Sequence, residues 1–296
     1  MATSRGRAND NRASTVLGRR LGGELLSLRV AAGKKQQEAA EALSATATKV
    51  VKMERGWVPM RDPDIKALCQ LYGVEDGEVV AGLLRLAKTD RERRKVKGWW
   101  NDTPTTATQV EYIAMEDAAL RIRQWQLALI PGLFQTPEYT RAMGVADMSW
   151  DDIDRIEDVV AARAKRQVRL YGDEPLRIHA VIWEAALRQL MGGPEVMKRQ
   201  LAHLCHLSEL PNVQIQVLPF HAGAHPCSGG PFNILSFGED EAVDVVHMDA
   251  IGSTIWIENA EESAVFATLF DRAARASMSP YDSIRFIDSL GKETGQ

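Results

Sequence analysis

The stretch QQEAAEALSATATKVVKMERG, residues 36–56, predicts two short helices joined by a tight turn. We expect the first helix over Gln36–Leu43 and the second over Ala47–Arg55, with residues 44–46 as the turn. Each segment has apolar residues at helical spacing: Ala39, Ala40 and Leu43 in the first, Val50, Val51 and Met53 in the second. Because a small residue such as Ala40 lets two helices cross closely, the stretch predicts a helix-turn-helix.

The outer face of the second predicted helix carries short side chains and long cations: Ala47, Thr48, Lys49 and Lys52. No acidic residue precedes Glu54 in this helix. Such a face suits a helix in the major groove of DNA, where side chains meet base edges and phosphates together. Two amphipathic helices with a polar turn also occur in helical proteins that bind no DNA, so both alternatives stay open at this point.

Composition is that of a globular protein with room for two domains: 296 residues, 45% apolar and 26% charged. No apolar run approaches the ~20 residues that a membrane span needs, and the first residues lack the apolar core of a signal peptide. The three cysteines are far apart in sequence: Cys69, Cys205 and Cys227. Their spacing argues against a disulfide framework and predicts that the protein is located in the reducing cytoplasm. We therefore expect no contact with a membrane.

Charge is divided unevenly along the chain. Residues 1–97 hold 20 Lys and Arg against 12 Asp and Glu, a net charge of +8. Residues 98–296 hold 16 against 28, a net charge of −12. A basic half that faces nucleic acid and an acidic half that faces a partner would give this asymmetry, although solvated surfaces also vary in charge.

The predicted organisation has four segments. A disordered basic tail covers residues 1–13, an all-α five-helix DNA-binding domain residues 14–87, a basic linker residues 88–108 and an α+β domain residues 109–290. The run from Arg85 to Lys97 contains seven cations and two acids. It is either a helix that crosses toward DNA or a solvated linker.

The second domain is expected to combine helices with a mainly antiparallel sheet. We predict a long helix over Gln109–Ala128, because apolar residues recur at helical spacing up to Leu129. Short runs rich in Val, Ile and aromatic residues predict five strands: Leu176–Trp183, Val213–Leu218, Phe232–Phe237, Val243–Met248 and Thr254–Ile257.

Residues 16–75 contain the pattern LGRRL…LR..AG…Q.EAAEAL……KV.K.ERG…P…….L…YGV. This pattern resembles the XRE-type helix-turn-helix of regulators related to phage (lambda-type) repressors. The chain departs from it at Lys35, Ala39 and Ser44, where threonine, leucine and glycine are usual.

The resemblance implies a set of DNA contacts. Gln36 would touch a phosphate or a base, and Arg61 would contact the phosphate backbone. Five residues would face the groove: Thr46, Ala47, Thr48, Lys49 and Lys52. It also implies that Arg29 and Glu54 form a partly buried structural pair that fixes the recognition helix to the first helix. Apart from the resemblance, we expect four cations to neutralise phosphates: Lys35, Lys49, Lys52 and Arg61.

Four motifs in the second half are IPGLFQTPEYTRA, WEAALRQLMGGPEVMKRQLAHL, ELPNVQIQVLPF and GAHPCSGGPF. They resemble the uncharacterised domain of actinobacterial regulators described as antitoxin-like or WhiJ-like. That resemblance implies a small partner protein. Trp183 and Cys227 stand where aspartate and glycine are usual.

Two histidine–cysteine groups have the residue types of a zinc site: His203, Cys205 and His206, and His221, His225 and Cys227. On a helix, ligands that share a face are three or four residues apart, which Cys205 does not satisfy. We expect packing here and no metal, cofactor or catalytic residue. Either an effector pocket or the hydrophobic core would contain the GLFQTPEY segment together with Glu116, Trp125 and Trp183.

These observations predict a cytoplasmic, nucleoid-associated transcriptional regulator that binds operator double-stranded DNA as a homodimer, with a second domain that senses a ligand or partner. The alternative is an antitoxin-like interaction protein that binds a small neighbour-encoded protein and autoregulates its operon. We expect no enzyme activity.

Overall fold

A computed structural model describes residues 15–95, 98–102, 107–146, 153–225, 227–238, 243–250 and 253–294. The chain divides into two compact units, Met1–Gly98 and Trp99–Gln296. The division falls inside the predicted linker, residues 88–108. The predicted tail, residues 1–13, lies outside the described residues.

The described part of the first unit contains five helices, which confirms the predicted all-α class. They are α1 (Val16–Ala31), α2 (Gln36–Ala42), α3 (Ala47–Glu54), α4 (Asp62–Tyr72) and α5 (Gly77–Arg93). Thr15 caps α1 by accepting a hydrogen bond from the Gly18 amide at 2.9 Å. The apolar faces of the helices meet in one core that includes Leu21, Leu25, Ala40, Met53, Ile65 and Leu68. This core holds α2 and α3 in a fixed geometry.

Two glycines allow α1 to approach the end of α3 closely. A Cβ atom on Gly22 would lie 2.5 Å from the carbonyl oxygens of Met53 and Glu54. Gly56 has a φ of +68°, and its Cβ would lie 2.3 Å from the backbone of Gly18 and Arg19. Any side chain at these positions would force the helices apart, since such contacts are far inside van der Waals distance.

The second unit is α+β. Its helices are α6 (Ala107–Ala118), α7 (Pro137–Ala146), α8 (Ile153–Gln167), α9 (Glu184–Arg188), α10 (Pro194–Leu207), α11 (Ala260–Ala276) and α12 (Pro280–Glu293). Its strands are β1 (Arg121–Gln126), β2 (Arg177–Trp183), β3 (Val213–Leu218), β4 (Phe232–Ser236), β5 (Val245–Ala250) and β6 (Ser253–Ile257).

The six strands form one sheet in the order β3-β2-β1-β4-β5-β6. The β1–β4, β4–β5 and β5–β6 pairs are antiparallel. The β1–β2 and β2–β3 pairs are parallel. The prediction of an α+β domain with a mainly antiparallel sheet is therefore confirmed, and the sheet is mixed.

The helix predicted over Gln109–Ala128 is wrong in its second half. The helix ends at Ala118, and Arg121–Gln126 is β1, in the middle of the sheet. The amide of Leu120 donates to the Ser236 carbonyl oxygen at 3.0 Å, so β4 takes the hydrogen bond that would continue the helix. Pairing with two neighbouring strands outweighs the helical spacing of the apolar residues.

The two faces of the sheet differ in chemistry. Helix α11 packs on one face, where Phe270 joins a buried cluster with Trp125, Val181 and Ile234. The opposite face carries a polar row in which Gln124 donates to Asn233 at 3.0 Å. No helix in the described residues is long and apolar enough to cross a membrane.

Candidate nucleic-acid interface

The turn between α2 and α3 is tight. The Ser44 amide donates to the Glu41 carbonyl oxygen at 3.0 Å, and the Ala45 amide donates to the Ala40 carbonyl oxygen at 2.8 Å. The side chain of Thr46 then caps α3 by accepting from the Lys49 amide at 3.3 Å. These bonds set the direction in which α3 leaves the turn.

Ser44 has a φ of +49°, in the left-handed region, and is the one non-glycine residue with a positive φ in the described part of the chain. A residue with a side chain pays about 1–2 kcal/mol in this conformation, whereas glycine adopts it freely. The replacement Ser44→Gly should therefore stabilise the first unit by up to about 1 kcal/mol, after the greater entropy of unfolded glycine is subtracted. Hydrogen exchange of the first unit, resolved by peptide across a urea series, measures this; a loss of stability would contradict the strain.

Glu54, at the end of α3, is bound from two sides. The Arg29 Nε donates to Glu54 at 2.5 Å, and the side chains of this pair are only 11% and 7% exposed. The Gln36 Nε2 donates to the other oxygen of the same carboxylate at 2.7 Å. The hydrogen bond from Arg29 to Glu54 raises the pKa of Arg29. One carboxylate thus ties together α1, α2 and α3.

Gln36 also has a structural contact. The residue is predicted to touch a phosphate or a base, which stays a prediction, and its Nε2 donates to Glu54. Lys35 is exposed at the start of α2, where its backbone amide donates to Glu38 at 2.9 Å. The α2 terminus therefore offers a lysine side chain to an approaching phosphate.

The outward face of α3 consists of Thr48, which is exposed, and Lys52, which is half-buried. No ion pair to Lys52 is found within the described residues. Ala47, predicted to face the groove, is partly buried against the domain core, because its methyl group packs on the cluster beneath α3. The geometry leaves Thr48 and Lys52 as the residues of α3 best placed to meet bases.

Lys49 and Arg61 converge on one carboxylate, that of Asp64 in α4. The Lys49 Nζ lies 3.2 Å from Asp64 Oδ2, and the Arg61 Nη2 lies 2.9 Å from Oδ1. Burial by itself would raise the pKa of Asp64, but hydrogen bonds from Arg61 and Lys49 bring it below its usual range. The side chain of Asp64 is 8% exposed, whereas those of Lys49 and Arg61 are 37% and 71% exposed. Both cations therefore lie at the surface and are bound by the same buried carboxylate, that of Asp64.

The cationic end of α5 binds within the first unit. The Arg94 guanidinium donates to Asp90 at 2.8 Å and to the Gly56 carbonyl oxygen at 2.7 Å. The Arg91 guanidinium donates to the Met60 carbonyl oxygen at 2.6 Å. Two of the cations predicted to cross toward DNA or to remain in solvent thus hold α5 against the loop that follows α3.

The remaining candidate residues belong to the second unit. Trp125, Leu133 and Phe134 are fully buried, and Glu116 binds Arg166 through two hydrogen bonds of 2.6 and 2.8 Å. Glu116, Leu133 and Phe134 therefore belong to the packed interior, whereas Pro137 and Glu138 of the segment are exposed and Trp183 is half-buried. No group of three or more His, Cys, Asp and Glu residues that could hold a metal ion occurs in the described residues.

Sequence reasoning missed a buried arginine beside this segment. The Arg163 Nη1 donates to Gln135 and, at 3.1 Å, to the hydroxyl oxygen of Thr140. Burial and the neighbouring positive charge of Arg166 lower the pKa of Arg163 to about 9, and the charge of Glu116 opposes this only in part. The spacing of Arg163 and Arg166 on the charged α8 gave no sign that both point inward.

Comparison with protein-family models identifies both units. Residues 20–83 match a family described as a helix-turn-helix domain. Residues 109–289 match a family described as a domain of unknown function, DUF5753. Comparison with curated proteins and with solved structures gave no match. The first match includes α2 and α3 and shows that the protein is a DNA-binding regulator. The second match covers more than half of the chain. The chain therefore belongs to the DUF5753 family and carries a helix-turn-helix domain ahead of the family's domain.

Proposed function

We propose that the protein is a sequence-specific transcriptional regulator that binds operator DNA in the cytoplasm as a homodimer. In this proposal α3 enters the major groove and the second unit senses a ligand or a partner protein. The observation that carries the proposal is the outward face of α3, where Thr48 and Lys52 lie beside the cations anchored by Asp64. No catalytic step is part of it.

Affinity in this proposal comes mainly from phosphate contacts. Lys49 on α3, Lys35 at the start of α2 and Arg61 at the start of α4 would each neutralise a phosphate with release of a counterion. The logarithm of the binding constant should then fall with the logarithm of salt concentration, by about 0.9 for each phosphate neutralised on a duplex. Electrophoretic mobility shifts across a salt series measure this slope.

Lys52→Ala should weaken operator binding by roughly 1–3 kcal/mol, because it removes a base or phosphate contact from the outward face of α3. The matched control is Lys66→Ala: Lys66 is exposed on α4, away from the outward face of α3. Fluorescence anisotropy with a labelled duplex from the protein's own promoter region compares the two. Equal affinity of Lys52→Ala and the wild type would remove Lys52 from the interface.

Dimeric binding follows from the size of the recognition surface. One α3 reaches too few bases for genomic specificity, and two modules on half-sites about one helical turn apart supply the rest. Genome-wide mapping of binding sites, followed by the stoichiometry of protein on the site found, tests this. Two chains on a site with two half-sites are expected, and one chain on an undivided site would contradict dimeric recognition.

A second candidate function is an antitoxin-like interaction protein whose DNA binding autoregulates its operon. It is favoured by the edge of the sheet, where β6 is the last strand and Ile255 is 46% exposed. A small apolar partner protein would cover that edge. Co-purification of the full chain with a small neighbour-encoded protein would support this function. Absence of such a complex would count against it, and the regulator proposal would then be the one that remains.

A further inference from the structure

The second unit contains an open cleft of about 560 Å³ on the side of the sheet covered by α11. The described residues that line it are Ala224, His225, Arg272, Arg275 and Ala276. Two of its walls are the last turns of α11 and the loop that leads to β4. The cleft lies apart from the polar interior around Glu116.

The charge of the cleft is opposite to that of its unit. Residues 98–296 carry a net charge of −12, yet Arg272 and Arg275 stand one helical turn apart on the same face of α11. Both side chains are exposed, and none of the ion pairs among the described residues includes either one. No carboxylate is found among the described residues that line the cleft. Two adjacent guanidinium groups repel each other unless an anion lies between them.

His225 is held in a fixed position at the cleft wall. Its ring centroid lies 5.2 Å from that of Trp125 and 6.1 Å from that of Trp183. Its Nδ1 is inaccessible to solvent and has no hydrogen-bond partner among the described residues. This nitrogen therefore faces the interior, and the imidazole ring presents its other edge to the cleft that it lines.

We propose that this cleft binds a small molecule that carries a carboxylate or phosphate group. The arginines would hold its oxyanion through paired N–H donors, and the ring of His225 would form part of the wall against which the molecule packs. Ala224 and Ala276 leave room for the rest of the molecule. The role of this molecule as the effector rests on the proposed function, whereas its binding does not.

The test uses the full chain without DNA. Pyrophosphate and citrate are titrated separately, each against sodium chloride of equal ionic strength, with isothermal titration calorimetry and tryptophan fluorescence as readouts. Saturable binding of at least one anion is expected, with a fluorescence change because the His225 ring contacts the indoles of Trp125 and Trp183. The anion that binds more tightly distinguishes phosphate from carboxylate chemistry.

Variants assign the binding to the cleft. The double variant Arg272→Gln/Arg275→Gln should lower the affinity roughly tenfold or more, because it removes two charge-assisted donors. Arg199→Gln is the matched control, since Arg199 is an exposed arginine on α10 away from the cleft. Thermal unfolding establishes that the variants are folded.

Two results would overturn the proposal. They are no saturable binding of either anion, and unchanged anion affinity in the double variant. Failure of the chain to bind operator DNA would instead count against the proposed function, because the anion titrations contain no DNA.

Discussion

Replacing Glu54 by alanine is expected to destabilise the first unit by about 3 kcal/mol, the largest loss that we foresee for one charged residue. Removal of one partner of a buried pair leaves the other charge without compensation, which costs about 3–5 kcal/mol. We take the lower end because 11% of the Arg29 side chain remains exposed. Gln36 loses its acceptor in the same variant. For a unit of this size the loss corresponds to a melting temperature lowered by roughly 12–24 °C.

Two further variants separate the buried pair from surface charge. Arg20 and Glu24 form an exposed pair of 3.1 Å on α1, so Glu24→Ala should change stability by less than about 0.5 kcal/mol. The double variant Arg29→Met/Glu54→Leu should recover most of the loss, since apolar residues of similar size leave no buried charge. Hydrogen exchange resolved by peptide reports the first unit separately. Equal effects of Glu54→Ala and Glu24→Ala would show that the pair does not hold α3 in place.

Gly56→Ala should be the most damaging exchange of small residues, with a loss of about 2–5 kcal/mol. The positive φ contributes about 1–2 kcal/mol, and the clash of the new Cβ with the backbone of Gly18 and Arg19 contributes about 1–3 kcal/mol. The clash would push α1 away from the end of α3. DNA binding should weaken along with stability, because α3 is positioned by α1.

Gly73→Ala is the control for this exchange. Gly73 has a φ of +71°, close to that of Gly56, but a Cβ atom added there would have no described atom within 4 Å apart from its own chain neighbours. Only the conformational part of the loss, about 1–2 kcal/mol, is therefore expected. Denaturant unfolding of both variants gives the difference. Equal losses would mean that α1 and α3 are not in the close contact described above.

The helices of the first unit follow from sequence because local signals agree there. Apolar spacing, the cap at Thr46 and the left-handed Gly73 after α4 all indicate the same boundaries. Strand β1 was missed because its apolar residues, Ile122 and Trp125, also fit helical spacing. Its identity depends on hydrogen bonds to β2 and β4, which are distant in sequence.

The candidate interface could be predicted only in outline. The sequence pattern indicates which residues of α3 point outward, but not that Ala47 packs on the core or that Gln36 binds Glu54. The shared anchoring of Lys49 and Arg61 by Asp64 depends on α4, whose placement relative to α3 is a tertiary property. Charge counts likewise could not show that Arg91 and Arg94 bind carbonyl oxygens of their own unit.

Methylation interference on the mapped operator tests most directly whether α3 occupies the major groove. Methylation of guanine N7 blocks the major groove, and methylation of adenine N3 blocks the minor groove. We predict that N7 methylation prevents binding at two clusters of guanines about one helical turn apart, and that Lys52→Ala removes part of this effect. Interference confined to adenine N3, or none in either groove, would contradict recognition through α3.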